Sequence, residues 1–348
     1  MRRVTAVAMI GAAAALVAGC SSSSSSSSGT TAAANSSSGG GASVTVRLGF
    51  LTNITHASAL VGLKEGFFTK ALGSAGTLKP TAFSTGTQET TALLAGQLDA
   101  AYVGPNPAIN AWQKSAGKEI KIISGAATGG ASVVVSKGIA SAAQLKGKTL
   151  ATPSLGNTQD VALRYWLKQN GVTTTTTGGG DAFIKPTTPN SAAVLEFKSG
   201  QVAGGSEPAP YDIEMVADGG KVLLSEPGVS TILVVTQTFL AAHPAIVADL
   251  VKAQIQANDF IKSNTTAAEA DANSELASYT DKPLKASLVA AAFKEITFTD
   301  DPDASSLTTD ASQAVSLGLL KPVNLSGIFD LGPLNTALAA AGESQVSS

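Results

Sequence analysis

The chain of 348 residues holds a single cysteine and only two histidines, His56 and His243. One cysteine excludes an intramolecular disulfide and every cysteine-rich zinc or iron–sulfur site, and two histidines leave little for metal or triad chemistry. No metal site, no cofactor and no catalytic residue is therefore expected. Charged residues are scarce at 14 %, aromatics at 5 %, and the formal net charge is only −2. A nucleic-acid surface needs clustered Lys and Arg, and no such cluster occurs. No apolar run reaches the roughly 20 residues of a membrane-spanning helix. What the chain does have is 44 % hydrophobic residues, enough for a sizeable core and too many for a disordered protein. At roughly 150 residues per domain, the length suits two domains better than one.

The first residues suggest a destination. Met1-Arg2-Arg3 is positive, Val4 to Gly19 is apolar, and Cys20 follows; a charged start, a short apolar run and small residues at its end describe a secretory signal. Leu16-Val17-Ala18-Gly19-Cys20 resembles the bacterial lipoprotein signal, in which the cysteine is lipidated and becomes the first mature residue. Residues 1–19 are thus expected to be a signal peptide and Cys20 the lipidated residue. Acyl chains would then hold the protein to the extracytoplasmic face of a membrane without spanning it. From Cys20 to Ser43 the chain reads as a tether, since eight serines (Ser21–Ser28) and the Gly, Ala and Thr after them cannot bury apolar surface.

The body reads as α/β and repeats itself. Val44 to Phe50 alternates like a strand, a polar turn through Asn53 and Thr55 follows, and Leu60, Val61, Leu63 and Phe67 stripe a helix. The same order recurs with the strand Thr149–Ala151, the turn Ser154–Thr158 and the helix Val161–Leu167. Aligning Leu48 with Leu150, an offset of 102, sets Thr55 opposite Asn157 and His56 opposite Thr158. A second pair of segments agrees: Gly96-Gln97 matches Gly200-Gln201 at 104, and Pro105/Pro107 matches Pro208/Pro210 at 103. Two related lobes follow. The β-branched runs Ala131–Val135 and Thr231–Val235 flank the second repeat and are the expected crossover strands. Lobe 1 is then 44–136 plus 234–335, lobe 2 is 137–233, and 336–348 is expected as a disordered tail. His243-Pro244 marks a helix start, so His243 belongs to a cap region.

From about 44 to 330 the chain resembles the periplasmic-type solute-binding proteins of ABC importers, in particular the nitrate/sulfonate/taurine branch. The resemblance rests on Leu94-Ala95-Gly96-Gln97-Leu98-Asp99-Ala100-Ala101-Tyr102-Val103-Gly104-Pro105, on Leu145-Lys146-Gly147-Lys148-Thr149-Leu150-Ala151 and on Gly156-Asn157-Thr158. It implies a two-lobed, type II periplasmic-binding-protein fold with two crossover strands that closes on a small anionic solute. It also implies a cognate ABC permease and ATPase as partners, and a monomer.

In open α/β sheets ligands lie beyond the carboxyl ends of strands, where helix N-termini attract anions. The turns carrying Asn53, Thr55, His56 and Ser58 and those carrying Asn157, Thr158 and Gln159 meet that condition, one from each lobe; helix capping alone would explain the same residues. Ser84-Thr85-Gly86 forms a third donor loop, and Gly129-Gly130 precedes the first crossover with no side chains to hinder close approach. Gly104-Pro105-Asn106 and Glu207 end the paired repeats and are expected to face each other across the cleft. Glu207 either accepts an ammonium group, as of taurine, or pairs structurally away from the cleft. A site with neutral donors and almost no Lys or Arg suits a sulfonate or nitrate, whereas nucleotide phosphates more often recruit an Arg fork. Trp112 and Trp166 lie on helical patterns and read as core. An enzyme is disfavoured: the Gly147-Lys148-Thr149 run has Ala142 where a phosphate loop needs Gly, and nothing orients Glu207 and His56 as acid and base. The closer rival is a binding protein for a pyrimidine-, thiamine- or riboflavin-like vitamin precursor, with Tyr102, Tyr165 or Tyr211 available for stacking.

Overall fold

The computed structural model describes residues 43–348; Cys20, the signal and the tether up to residue 42 lie outside them. Eleven strands divide between two sheets. The first contains β1 (Val44–Leu51), β2 (Gly76–Phe83), β3 (Ala100–Val103), β4 (Ile120–Gly129), β10 (Val229–Thr236) and β11 (Ile296–Phe298), in the order β11-β4-β10-β3-β1-β2. The second contains β5 (Ala131–Ser136), β6 (Thr149–Thr152), β7 (Phe183–Pro186), β8 (Gly204–Pro208) and β9 (Gly220–Ser225), in the order β7-β6-β8-β5-β9. Helices α1 (Ala57–Lys64), α2 (Phe67–Leu72), α3 (Gly86–Leu94) and α4 (Pro105–Lys114) accompany the first sheet. Helices α5 (Thr158–Gln169), α6 (Asn190–Lys198) and α7 (Tyr211–Ala217) accompany the second. The C-terminal third adds α8 (Gln237–Ala242), α9 (Pro244–Ser263), α10 (Thr265–Thr280), α11 (Ala286–Glu295), α12 (Ala304–Ser316) and α13 (Gly332–Ala341) to the first sheet.

The internal repeat is visible in the strand registers. Strand β1 lies between β2 and β3, parallel to both, and β3 then pairs antiparallel with β10; β6, β7, β8 and β5 repeat that arrangement. Leu48 pairs with Ala100 where Leu150 pairs with Gly204, so the offsets of 102 and 104 both reappear. The turns are not aligned as the strands are. The first side-chain caps after the equivalent strands are Asn53, on the 3-10 turn that precedes α1, and Asn157, on α5; their offset of 104 makes the second turn two residues longer than the strand alignment implies.

All eight residues of β10 are buried, as expected of a strand covered on both faces. Its alternation sends Leu233 and Val235 into one core with α1, α2 and α9, while Ile232 and Val234 enter the opposite core with α4 and α12. The second sheet divides likewise: Val133 and Leu150 pack toward α5, and Val134 and Ala151 toward α6 and α7.

Two boundaries differ from those expected. The β-branched runs do not cross between lobes; β5 lies wholly in the second sheet and β10 wholly in the first, because both are central strands with buried faces. The chain passes over instead at Gly129-Gly130 and at Glu226–Gly228, so the second lobe runs from β5 to β9. Gly129 and Gly130 both have φ of +72°, and a Cβ on Gly130 would lie 2.4 Å from Ile296 Cγ1. The pair thus supplies the left-handed, side-chain-free passage that the close approach to β11 requires. The end of the chain is also placed. Helix α13 buries Leu334 and Leu338, and Asn335 brackets Val346 with a donated and an accepted backbone hydrogen bond. Among the described residues no helix is long and apolar enough to cross a membrane.

Candidate functional site

Four helix starts meet between the two sheets. Asn53 caps the short 3-10 turn Ile54–His56 that leads into α1, and its Oδ1 accepts from Thr55 N–H at 3.0 Å and Thr55 Oγ1 at 2.7 Å. Thr85 caps α3 by accepting from Gln88 N–H, and Asn157 caps α5 by accepting from Asp160 N–H at 2.9 Å. Gly104 occupies the cap position of α4, where Pro105 at the first helical position has no N–H to satisfy. These four cap residues line one small chamber of about 30 Å³, with Thr55, His56, Ser84, Gly86, Thr158 and Gln159 in the same wall. The side chains of Asn53, Thr85 and Asn157 each satisfy one backbone N–H and leave others of the first turn without intrahelical partners, while Gly104 has no side chain to cap with. The lobes touch across the chamber: Ile54 N–H donates to Ala209 O at 2.9 Å, Tyr211 OH to Thr52 O at 3.1 Å, and the Thr87 and Ser154 hydroxyls lie 3.3 Å apart.

The chamber is polar and carries no cation. No Lys or Arg is among its described lining residues. His56 is 1 % exposed, and burial pushes its pKa down to about 3, so the ring is neutral at physiological pH. Its Nδ1 accepts from Leu51 N–H at 3.2 Å, which leaves the proton on Nε2 and makes that nitrogen a donor. Thr158 Oγ1 and Ser230 Oγ are buried and have no partner among the described residues. The acid in the first turn of α5 is already neutralised. Asp160 accepts from Thr152 Oγ1, Gly156 N–H and Arg164 Nε, and Arg164 continues to Thr175 O.

Other candidates stand apart from the chamber wall. Ser58 Oγ donates to Asn258 Oδ1 at 2.7 Å, in a buried network that also holds Gln254, Asp300 and the Tyr102 hydroxyl. Pro105 and Asn106 lie in the first turn of α4 outside the lining, and Asn106 Nδ2 donates to Asp310 O at 3.4 Å. Gly130 is covered by Ile296, and Gly129 borders a second cavity. Glu207 does not face across the cleft: it is fully buried in β8, and its Oε2 accepts from Asn190 Nδ2 at 3.0 Å while Asn190 lines the chamber. Burial pushes the Glu207 carboxyl well above its ordinary range. Ser230 and Asn190 were not legible as site residues; the hint of Ser230 is the Ser-Thr pair near the start of a mostly apolar strand.

A second cavity of about 430 Å³ adjoins the first and shares Thr158, Gln159 and Ser230 with it. Its walls are the Tyr165–Trp166 side of α5, the passage from β9 to β10, and α12 with Asp310. Trp166 is therefore a wall residue as well as a core neighbour, whereas Trp112 is buried and donates to Asn324 O. Asp310 Oδ2 is buried without a partner, and burial raises this carboxyl to about 7. Glu226 is raised to about 8 for the same reason, partly offset by a short hydrogen bond from Ser206 Oγ.

The model of the NMT1-like family matches residues 39–274, about two thirds of the chain. The chain belongs to the NMT1-like family. Solved structures similar to this family member share its fold. The alkanesulfonate-binding protein SsuA from Xanthomonas axonopodis pv. citri, bound to MOPS, superposes with a TM-score of 0.68 at 16 % identity, covering 82 % of this chain and 98 % of its own. The periplasmic nitrate-binding protein NrtA from Synechocystis PCC 6803 gives 0.72 at 15 % identity, covering 86 % and 89 %. The Candida albicans CA3427 gene product, described as exhibiting the generic periplasmic binding protein fold, gives 0.61 at 11 % identity, covering 87 % and 96 %. No curated protein sequence matches the chain significantly. The two-lobed periplasmic-binding-protein architecture is that of this NMT1-like chain.

Proposed function

We propose that this NMT1-like protein is the extracytoplasmic solute-binding component of an ABC importer and captures a small oxyanion, a sulfonate or nitrate, between its lobes. One observation carries the reading: four helix starts converge on a cation-free chamber in which Thr158 Oγ1, Ser230 Oγ and the neutral His56 are donors. Neutral donors and helix dipoles suffice for a fully ionised, weakly basic oxyanion. The chamber of about 30 Å³ exceeds the ~10–15 Å³ that one water needs. The sulfonate- and nitrate-binding proteins with the same fold support this class. The lipid on Cys20 anchors the protein, and a permease with its ATPase receives the solute.

Isothermal titration with nitrate, methanesulfonate and taurine tests the reading, with a thiamine-like pyrimidine and riboflavin as competing arms. The latter are included because Tyr165 and Trp166 offer stacking surface in the adjoining cavity. Binding of at least one oxyanion is expected, and failure of all of them rejects the proposal. Mass analysis of membrane-extracted protein tests Cys20, whose replacement by Ala should release the protein from the membrane.

A further inference from the structure

Two of the four helix starts are tied together from beneath, by side chains outside the chamber wall. Ser58 stands two residues after His56 and Tyr102 two residues before Gly104, and both are fully buried. Tyr102 OH donates to Gln254 Oε1 at 2.6 Å, and Ser58 Oγ donates to Asn258 Oδ1 at 2.7 Å. Gln254 and Asn258 lie four residues apart on α9 and so share one face of it. Their amide nitrogens both donate to Asp300 Oδ1, at 3.1 and 2.8 Å. The chain therefore runs Ser58–Asn258–Asp300–Gln254–Tyr102, with every donor directed toward the carboxylate. Turning either amide over would set its oxygen against that carboxylate, so each is fixed at both ends. Burial raises Asp300 to about 6, which leaves it ionised at pH 7.5 and able to accept from both. Its backbone is held as well: Asp300 O accepts from Gly125 N–H at 2.8 Å, and a Cβ on Gly125 would lie 2.2 Å from Asp301 O. None of the five side chains leaves a buried polar atom unpaired, whereas Thr158 and Ser230 in the chamber wall do.

We propose that Gln254, Asn258 and Asp300 are positioning residues of the site: through Ser58 and Tyr102 they hold the starts of α1 and α4 at one spacing, so that His56 and Gly104 keep a fixed separation across the chamber. The inference rests on the oxyanion reading and adds to it three residues that touch no ligand. Stability alone does not call for this arrangement, because apolar side chains of the same shape would fill the same core at little cost. A fully satisfied buried network does something apolar packing does less well, which is to select a single geometry. Donors that meet one small anion need that geometry, since a misplaced support loosens the contact it carries.

The test perturbs one end of the network and reads the other, in the full-length protein at pH 7.5. Gln254→Met cuts the Tyr102 branch with a side chain of similar length. Ser58→Ala cuts the other branch by removing one oxygen, and alanine keeps the helix. Each should weaken methanesulfonate and nitrate at least about threefold by calorimetry. The double variant should lose no more than about twofold beyond the weaker single, because one connection can be broken only once. Leu338→Ala, in the same core on α13, is the control for general loosening and should bind like the parent despite a lower melting temperature. Singles that bind like the parent, losses that multiply in the double variant, or an equal loss in Leu338→Ala each overturn the inference. A second readout needs no ligand. In nitrogen-15 spectra Gln254→Met should shift the His56 Nε2 resonance, and Ser58→Ala the Gly104 amide; if both stay in place the linkage is refuted. Should the unaltered protein bind neither anion, the oxyanion reading falls by itself, and these two resonances still decide whether the helix starts are linked.

Discussion

Gly104→Ala tests whether the helix starts work as a closing pair. Gly104 has φ of −69° and ψ of 156°, an ordinary extended conformation that alanine adopts without strain. Its Cβ would, however, lie 2.8 Å from Thr158 Oγ1 on the opposite lobe, with Pro107 Cδ and Ser230 O at an ordinary 3.7 Å. The added methyl group therefore collides across the cleft and almost nowhere else. Either the lobes stay slightly apart, or Thr158 rotates and its hydroxyl leaves the ligand. Overpacking of this kind costs about 1–3 kcal/mol. A hydrogen bond to a charged group is worth about 1.5–3 kcal/mol. Both routes converge on oxyanion binding weakened by roughly 10- to 100-fold, with little change in the melting temperature of the unliganded protein if its lobes can separate. Titration calorimetry reads the affinity, and small-angle scattering reads the compaction that ligand induces. Adding Thr158→Ala to Gly104→Ala should cost much less than Thr158→Ala alone, because the two share one contact. Binding within twofold of the parent, with the same compaction, would refute the reasoning.

Thr158→Val and Ser230→Ala each delete an unpaired buried hydroxyl, so each should weaken methanesulfonate about 10-fold or more by titration while leaving the unliganded melting temperature unchanged or slightly raised. Glu89 is fully buried with neither carboxyl oxygen bonded, and burial holds it well above the ordinary carboxylate range. Its raised folded value means that its contribution is full below about pH 4.3 and declines as pH rises toward that value. Denaturant titrations should then find Glu89→Leu more stable than the parent at pH 7.5 by about 1–3 kcal/mol, and less favoured or neutral at pH 4.

The repeat was legible because strand register is a local property: leucines and small residues recur at 102 and 104, and the paired strands keep those offsets. Capping residues were legible for the same reason, since Asn53, Thr85 and Asn157 act on N–H groups two or three residues ahead of them. What the pattern could not carry was direction. Ser58 looks like its neighbours Asn53 and Thr55, yet one further turn of helix points it at Asn258, 200 residues away. Glu207 ends a strand as expected but faces Asn190 rather than the cleft. The large cavity was invisible because its walls come from α5, the β9–β10 passage and α12, which only the fold assembles. Tyr165 was available as a stacking group in the sequence; nothing there distinguished it from Tyr102, whose hydroxyl is held by Gln254.

The two lobes repeat an architecture without repeating its electrostatics, and that difference suggests how the site divides its labour. On the first lobe, neither the turn at Asn53 nor α4 has an acidic residue in its first turn, and Glu89 in the first turn of α3 is fully buried with its carboxyl pushed well above the ordinary range. On the second lobe the equivalent α5 carries Asp160, and α7 carries Asp212 and Glu214. Asp160 is balanced by Arg164 four residues on, which leaves α5 close to neutral rather than attractive. An anion arriving at an open cleft thus finds its stronger field on the first lobe. The second lobe adds directed contacts, above all Thr158 Oγ1, once the gap has narrowed enough for Gly104 to pass it at close range. Glycine at position 104 and a hydroxyl at position 158 are then two halves of one requirement: the first removes the only side chain in the way of the second.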